Sequence, residues 1–461
     1  MRPLGNVGFG AGARIGACLL AVAALGAAGG GCATVRRARE AQKTDRVPAG
    51  ERTVTAAEAG LGTNTVLTVD GAIGIALTYY PSVVQARQNL AVATQQVRQA
   101  RAAWKPSVNA NAGYNRSTSN ADAGSETSDS GSSYSAGLSV DQLLYDFGKT
   151  PASIRQACAR QLAAQENLRA ARSDVAFSVR TAFYDLARAQ ELLQVAVESE
   201  RQYVVHLDQV RVLAEVGRRI RYDITKAEVD LGNARLDLIN ASNTVMTARA
   251  ALNRSLGLAE EPGYRIDVSP IPQVPAVFEE GMRIARARHP QLQALKAQER
   301  AASAAVDAAI ADLYPALNLS GDFGWSGAAF PLVWNWALAA RTGLALFTGG
   351  RKTSAIEIAV SDLRSARTSV ADREQQICLD MSKAFAQMDS AARRMALTDL
   401  IVRQAQESLN LVNERYAQGQ ASSVEVTDGQ VALTRARADQ VNARFDYQTA
   451  AALIRHTIGE E

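Results

Sequence analysis

The chain has 461 residues, 50 of them Lys or Arg against 46 Asp or Glu, for a net charge of +4. That near balance, with no Lys/Arg cluster interleaved with aromatics, leaves no case for a nucleic-acid partner. Aromatics are only 6%, while alanine-rich runs such as 301–309 recur. Such a composition suits closely packed helices rather than one thick globular core.

Residues 1–31 read as an export signal: Arg2 and Arg14 precede the apolar run Ile15 to Ala28, which ends in Gly29-Gly30-Gly31-Cys32. The run is short for a membrane span, and nowhere later do about 18 consecutive apolar residues occur. Cys32 after small residues resembles a bacterial lipoprotein cleavage site, although Gly29 stands where those sites usually have Leu. Cys18 fits the local pattern but has too little apolar sequence before it. The expectation is acylation of Cys32, an acyl chain supplementing another membrane anchor; the alternative is an ordinary signal peptide cut nearby. Residues 32–67 follow as a linker.

Self-comparison organises the remainder. Pro81, Pro106 and Tyr114 recur as Pro290, Pro315 and Phe323, displaced by 209; Leu144-Tyr145, Gly148, Gly217 and Thr225 recur as Leu346-Phe347, Gly350, Gly419 and Thr427, displaced by 202. The chain is therefore an internal duplication, with repeat 1 over 68–260, a linker over 261–280 and repeat 2 over 281–461. In repeat 1 the pattern predicts a helix over 83–104, strands over 106–116 and 134–145, a long helix over 150–215 and a return helix over 224–256. In repeat 2 it predicts a helix over 291–313, strands over 315–326 and 334–347, a long helix over 352–417 and a return helix over 424–458. Each long stretch carries no internal Gly, and Pro151 falls in a first turn. At about 1.5 Å per residue each would reach roughly 100 Å. A heptad-like seam runs along the first: Leu168, Val175, Val179, Ala182, Leu186, Leu193, Val197, Val204 and Leu207.

The strands alternate with period two, apolar side chains on one face and Asn109, Asn111, Asp141, Asn318, Asp322 and Arg341 on the other. Apolar-out, polar-in segments of about ten residues mark a transmembrane barrel with a wet lumen, so these six are the expected lumen residues. Residues 117–133 are nearly all Ser, Thr, Asn, Asp and Gly, as in an extracellular loop. Trp325, Phe330, Trp334 and Trp336 cluster about the second, shorter loop, as in a membrane-interface belt. A soluble two-sheet cap is the alternative. Four strands cannot close a barrel, and open edges in lipid cost several kcal/mol per unpaired backbone group, so copies must associate. Two copies give eight strands and a filled interior; three give twelve and room for water.

The duplicated plan resembles the TolC-like outer-membrane efflux family, over roughly residues 65–460. The marks are Leu144-Tyr145-Asp146-Phe147-Gly148-Lys149, Leu346-Phe347-Thr348-Gly349-Gly350-Arg351, Tyr416-Ala417-Gln418-Gly419 and Val424-Glu425-Val426-Thr427-Asp428. The resemblance implies a mainly α fold with a membrane β part. A homotrimer would form a twelve-stranded transmembrane barrel continuous with a periplasmic α-helical barrel. It implies docking to a periplasmic adaptor and an inner-membrane, proton-driven pump, within outer-membrane lipid. It implies tip turns at Gly217 and Gly419 and an entrance ringed by Asp223, Glu425 and Asp428. Ser422-Ser423-Val424-Glu425 also reads as a capping box, a role compatible with the first. Where the family often has a latching Arg after the copy-two turn glycine this chain has Ala421, and copy one instead offers Arg218, Arg219 and Arg221.

No metal-ligand spacing, nucleophile elbow or phosphate loop occurs, so neither enzyme chemistry nor a cofactor is expected. His206, His289 and His456 are far apart in the repeat and are expected on the surface. Cys158 and Cys378 are expected as unpaired, buried small residues. The function expected is passage of small molecules or drugs through an outer-membrane channel. A duct for type I protein secretion is the first alternative, and a periplasmic coiled-coil scaffold the second.

Overall fold

The computed structural model describes residues 31–42, 55–62, 65–119, 129–258, 262–268 and 277–460. Residues 1–30 of the export signal, Cys18 among them, and the middle of the 117–133 loop lie outside the described residues. In chain order the elements are α1 (Gly31–Ala41), β1 (Val66–Leu67), α2 (Val69–Tyr79), α3 (Pro81–Ala102), β2 (Ser107–Ser119), β3 (Asp129–Tyr145), α4 (Lys149–Glu215), α5 (Arg221–Ser255), β4 (Arg265–Ile266), α6 (Phe278–Arg288), α7 (Pro290–Ala311), β5 (Ala316–Gly327), β6 (Val333–Gly343), α8 (Arg351–Ala417) and α9 (Ser423–Ile458).

The duplication is visible in the helices. α3 and α7 have 22 residues each, and α4 and α8 have 67 each. Each repeat also has an 11-residue helix that the periodicity did not predict, α2 and α6. In α2 the Thr68 hydroxyl accepts from the Gly71 amide at 3.2 Å, and Val69, Ala72, Ile73 and Ala76 form its buried stripe. Both short helices end for the same reason. The residue before a proline is pushed out of the helical region, so Tyr80 and His289 take extended ψ angles of 129° and 117°, and Pro81 and Pro290 then open α3 and α7.

The chain divides into two units. One holds residues 1–48, 95–158 and 301–362, and in it β2, β3, β5 and β6 form one antiparallel sheet in the order β2-β3-β5-β6. The β3–β5 pairing, Tyr134 opposite Gly327 through Tyr145 opposite Leu317, joins the repeats. It is a single sheet, not the two-sheet cap. β2 and β3 extend beyond their predicted ends into the Ser-rich loop, with Ser119 opposite Asp129, because ladder hydrogen bonds use the backbone whatever the side chain. β6 stops at Gly343 rather than 347: Leu346 and Phe347 are about nine-tenths exposed, and Gly349 and Gly350 take positive φ. Asp312, beyond the end of α7, pairs with both Lys149 and Lys352 and so ties the first turns of the two long helices.

The other unit holds residues 49–94, 159–300 and 363–461. Its main core gathers Leu67, Ile73, Val83, Val175, Val179, Phe183, Leu186, Leu252, Leu256 and Phe445. A second cluster is built on Tyr203, Leu207, Val210, Leu231, Tyr416 and Val426, and a third on Met282, Leu292, Ile377, Met381 and Ile458. The predicted seam is buried at Leu168, Val175, Val179, Leu186 and Leu207 but exposed at Val197. β1 and β4 pair in parallel over two residues each. Two further expectations are corrected. Cys158 is half-buried and Cys378 exposed, both as free thiols, since each falls on a helix face that no core cluster covers. His206 and His289 are buried at 2% and 4% exposure: His206 packs across the repeats against Ser423, and His289, where α6 ends, lies against Arg373 and Gly459 of its own repeat. No described helix is long and apolar enough to cross a membrane.

Candidate functional site: a two-faced sheet and a helical tip

The register assigns every strand residue to a face. Asn109 lies opposite Ser139, Asn111 opposite Gly137, Ser139 opposite Asp322, Asp141 opposite Ser320 and Asn318 opposite Arg341. Partners in an antiparallel pair share a face and alternate residues share it along a strand. Asn109, Asn111, Asp141, Asn318, Asp322 and Arg341 therefore all stand on one face. The opposite face carries Val108, Tyr114, Leu138, Val140, Leu317, Phe323, Trp325, Trp336 and Leu338, all exposed. Exposed apolar area of that extent on a folded protein marks a surface meant for lipid or a partner. A bulge between Leu143 and Tyr145 shifts the register by one, so that Tyr145 pairs with Leu317 on the apolar face.

Aromatic side chains collect at both ends of the strands. At the loop end Tyr114 and Tyr134 lie 5.0 Å apart, Tyr134 and Phe330 5.1 Å, and Phe323 and Trp325 5.1 Å between ring centroids. At the helix end Tyr145 lies 4.9 Å from Phe147, which stacks on Tyr314 at 5.5 Å. The first cluster was legible in the sequence. The second was not, because Tyr314 comes from a segment that only the fold brings to Tyr145 and Phe147.

In the other unit the two tip turns follow one design. Gly217 and Gly419 take φ of 75° and 78°, a left-handed conformation that costs glycine nothing. Arg218 donates its amide to the Leu213 carbonyl at 2.9 Å, and Gln420 to Arg415 at 2.8 Å, the wrap-around bonds that close a helix end. The helices that follow start differently. Ile220 precedes α5 without a side-chain cap, whereas Ser422 and Glu425 form a full capping box on α9. The Glu425 carboxylate accepts from the Ser422 amide at 2.9 Å and hydroxyl at 3.0 Å and lies 3.7 Å from Arg415. The Ser422 hydrogen bonds, with a smaller pull from Arg415, hold its carboxyl below the ordinary value of 4.5. Asp428, on the same helix, is exposed, and Asp223, in the first turn of α5, is half-buried.

Arg219, Asp230 and His206 of copy one each reach the copy-two tip. Arg219 donates to the Ala421 carbonyl at 2.9 Å and lies 4.4 Å over the Tyr416 ring. The Thr427 hydroxyl donates to the Asp230 carboxylate at 3.1 Å, and Lys226 lies 2.9 Å from that carboxylate. His206 Nε2 lies 3.3 Å from the Ser423 hydroxyl. Sequence reasoning singled out the copy-one arginines but not which one crosses; it expected His206 on the surface, and Asp230 meets Thr427 only through the fold. Charge differs sharply between the turns: residues 211–226 carry five basic and two acidic side chains, residues 413–428 one and three.

The family model described as outer membrane efflux protein matches residues 72–258 and 282–460. The outer membrane efflux protein BepC of Brucella suis is 25% identical over 406 residues, covering 85% of each chain. The alkaline protease secretion protein AprF of Pseudomonas aeruginosa is 24% identical over 338 residues, covering 71% of this chain and 70% of its own. Among solved structures, the outer-membrane channel OprN superposes with a TM-score of 0.79 at 17% identity, covering 85% of this chain and 90% of its own.

Proposed function

The chain belongs to the outer membrane efflux protein family, and on that footing we propose that three copies close a twelve-stranded barrel whose polar face lines a water-filled duct through the outer membrane. The carrying observation is the sheet itself. Within the described residues β2 and β6 are its two edges, each with one side unpaired, and all six predicted lumen residues share a face. Hydrocarbon offers no hydrogen bonds, so those edges are completed by neighbouring subunits. The aromatic clusters are about nine residues apart along β5, roughly 30 Å of strand, which tilted near 40° covers the hydrocarbon band of about 25 Å.

In this reading the paired helices carry the duct into the periplasm, where it meets a membrane-fusion adaptor and an inner-membrane, proton-driven pump. Its cargo is small molecules or drugs, which agrees with the efflux naming of the relative BepC. The likeness to AprF favours, as a second reading, a duct for protein secretion. An acyl chain on Cys32, which lies in α1, would add a lipid anchor. Asp223, Glu425 and Asp428 form the entrance, where threefold repetition concentrates negative charge and favours cations. Glu425 serves its capping role at the same time.

Planar-bilayer recording tests this. Asp428→Asn, which leaves the capping box intact, is expected to change single-channel conductance and to weaken block by multivalent cations. Unchanged conductance and block would remove the entrance assignment. A mature protein that forms no channel at all would remove the whole reading.

A further inference from the structure

His206 lies on α4 at 2% exposure, with Nε2 against the Ser423 hydroxyl in the first turn of α9 and its ring 5.5 Å from Tyr416, near the end of α8. Its other ring nitrogen, Nδ1, is buried without a hydrogen-bond partner. One imidazole from copy one thus touches both helices that flank the copy-two turn. Neutral, it fits there. Protonated, it would carry a buried N–H with nothing to donate to, which is unfavourable even without the charge.

The surroundings decide the sign. From α5, Lys226 opposes a positive imidazole, while Asp230 and Asp223 favour it; from the tip turn, Arg219 opposes it. Asp230 is already engaged by Lys226 and Thr427. α8 contributes Tyr416, whose ring face is covered by the Arg219 guanidinium, and α9 contributes the Ser423 hydroxyl at its N-terminus, the positive end of the helix dipole. On α4 itself the neighbour one turn away is Tyr203.

We propose that His206 is an acid-sensitive pin: neutral, it holds the copy-two tip turn and the start of α9 against α4, and protonated, it releases them. Burial, the largest influence, lowers the His206 value below the ordinary 6.5. Docking of the turn is therefore unaffected above about pH 6.5, weakens as pH falls below it, and stops weakening once His206 also titrates in place. That release would open the duct rests on the entrance assignment above; the pin itself does not.

Hydrogen exchange of the purified full chain, corrected for intrinsic rates, tests it between pH 7.5 and 5.5. The expected result is constant protection of amides 415–430 above about pH 6.5, falling by up to roughly tenfold per pH unit below it. The chain has three histidines. His206→Gln is expected to abolish the slope, while His289→Gln and His456→Gln keep it, so the assignment does not hang on one variant. A wild-type tip without a slope, or a slope that survives His206→Gln or disappears in either other variant, would overturn the pin. Should the slope behave as expected while bilayer conductance stays flat with pH, the pin stands and the entrance assignment falls.

Discussion

The Arg219 guanidinium lies 4.4 Å over the Tyr416 ring and donates to the Ala421 carbonyl at 2.9 Å, so the turn of one repeat straps the turn of the other within a single protomer. A partly exposed cation–π contact contributes about 0.5–1 kcal/mol and a charged hydrogen bond about 1.5–3 kcal/mol. Arg219→Ala should therefore loosen the tip and raise single-channel conductance. Arg219→Lys, which keeps the charge but loses the planar fork, should fall between. Equal conductance in all three proteins would mean the strap does not hold the entrance.

Glu425 makes the start of α9 sensitive to stronger acid, separately from any histidine. Its carboxyl is held below 4.5 by the Ser422 hydrogen bonds, so its contribution is present above that pH and is lost as pH falls toward the lowered value. Protection of the first turn of α9 should drop below about pH 4.5 in the wild type, and Glu425→Gln should remove that step. A step of the same size in the variant would assign it to another group.

Gly324 faces Gly137 across the β3–β5 pairing that joins the repeats, and a Cβ on it would meet the Ala136 carbonyl oxygen at 2.8 Å. Backbone cannot yield there as a side-chain tip can. Gly324→Ala should cost about 1–3 kcal/mol, lower outer-membrane yield and weaken the heat-resistant oligomer on gels. Gly343→Ala, with open space around its Cβ, is the control and should behave as wild type.

The repeat made most of the helical plan legible, because a constant displacement of 202 residues from Gly148 to the C-terminus fixes equal helix lengths without any appeal to packing. The two faces of the sheet were legible because period-two alternation survives in every strand. What stayed hidden depended on contacts between distant segments. α2 and α6 are 11 residues long, too short to be held without burial of side chains such as Ile73 and Met282. Outer strand ends such as Ser119 and Asp129 pair through backbone hydrogen bonds that leave no mark in the sequence pattern. At the tip, Glu425 could be read as a cap from local spacing, whereas His206 and Asp230 gain meaning only when Ser423 and Thr427 are folded against them.

The central claim is that β2 and β6 of different copies pair. With Cys158 and Cys378 replaced by Ser, a cysteine at Asn111 in β2 can be combined with cysteines scanned from Asn335 to Arg341 in β6, and oxidised in outer membranes. The account predicts that some pairs give covalent dimers and trimers on non-reducing gels and nothing larger. Monomers alone at every position of the scan, or ladders that run past the trimer, would contradict it.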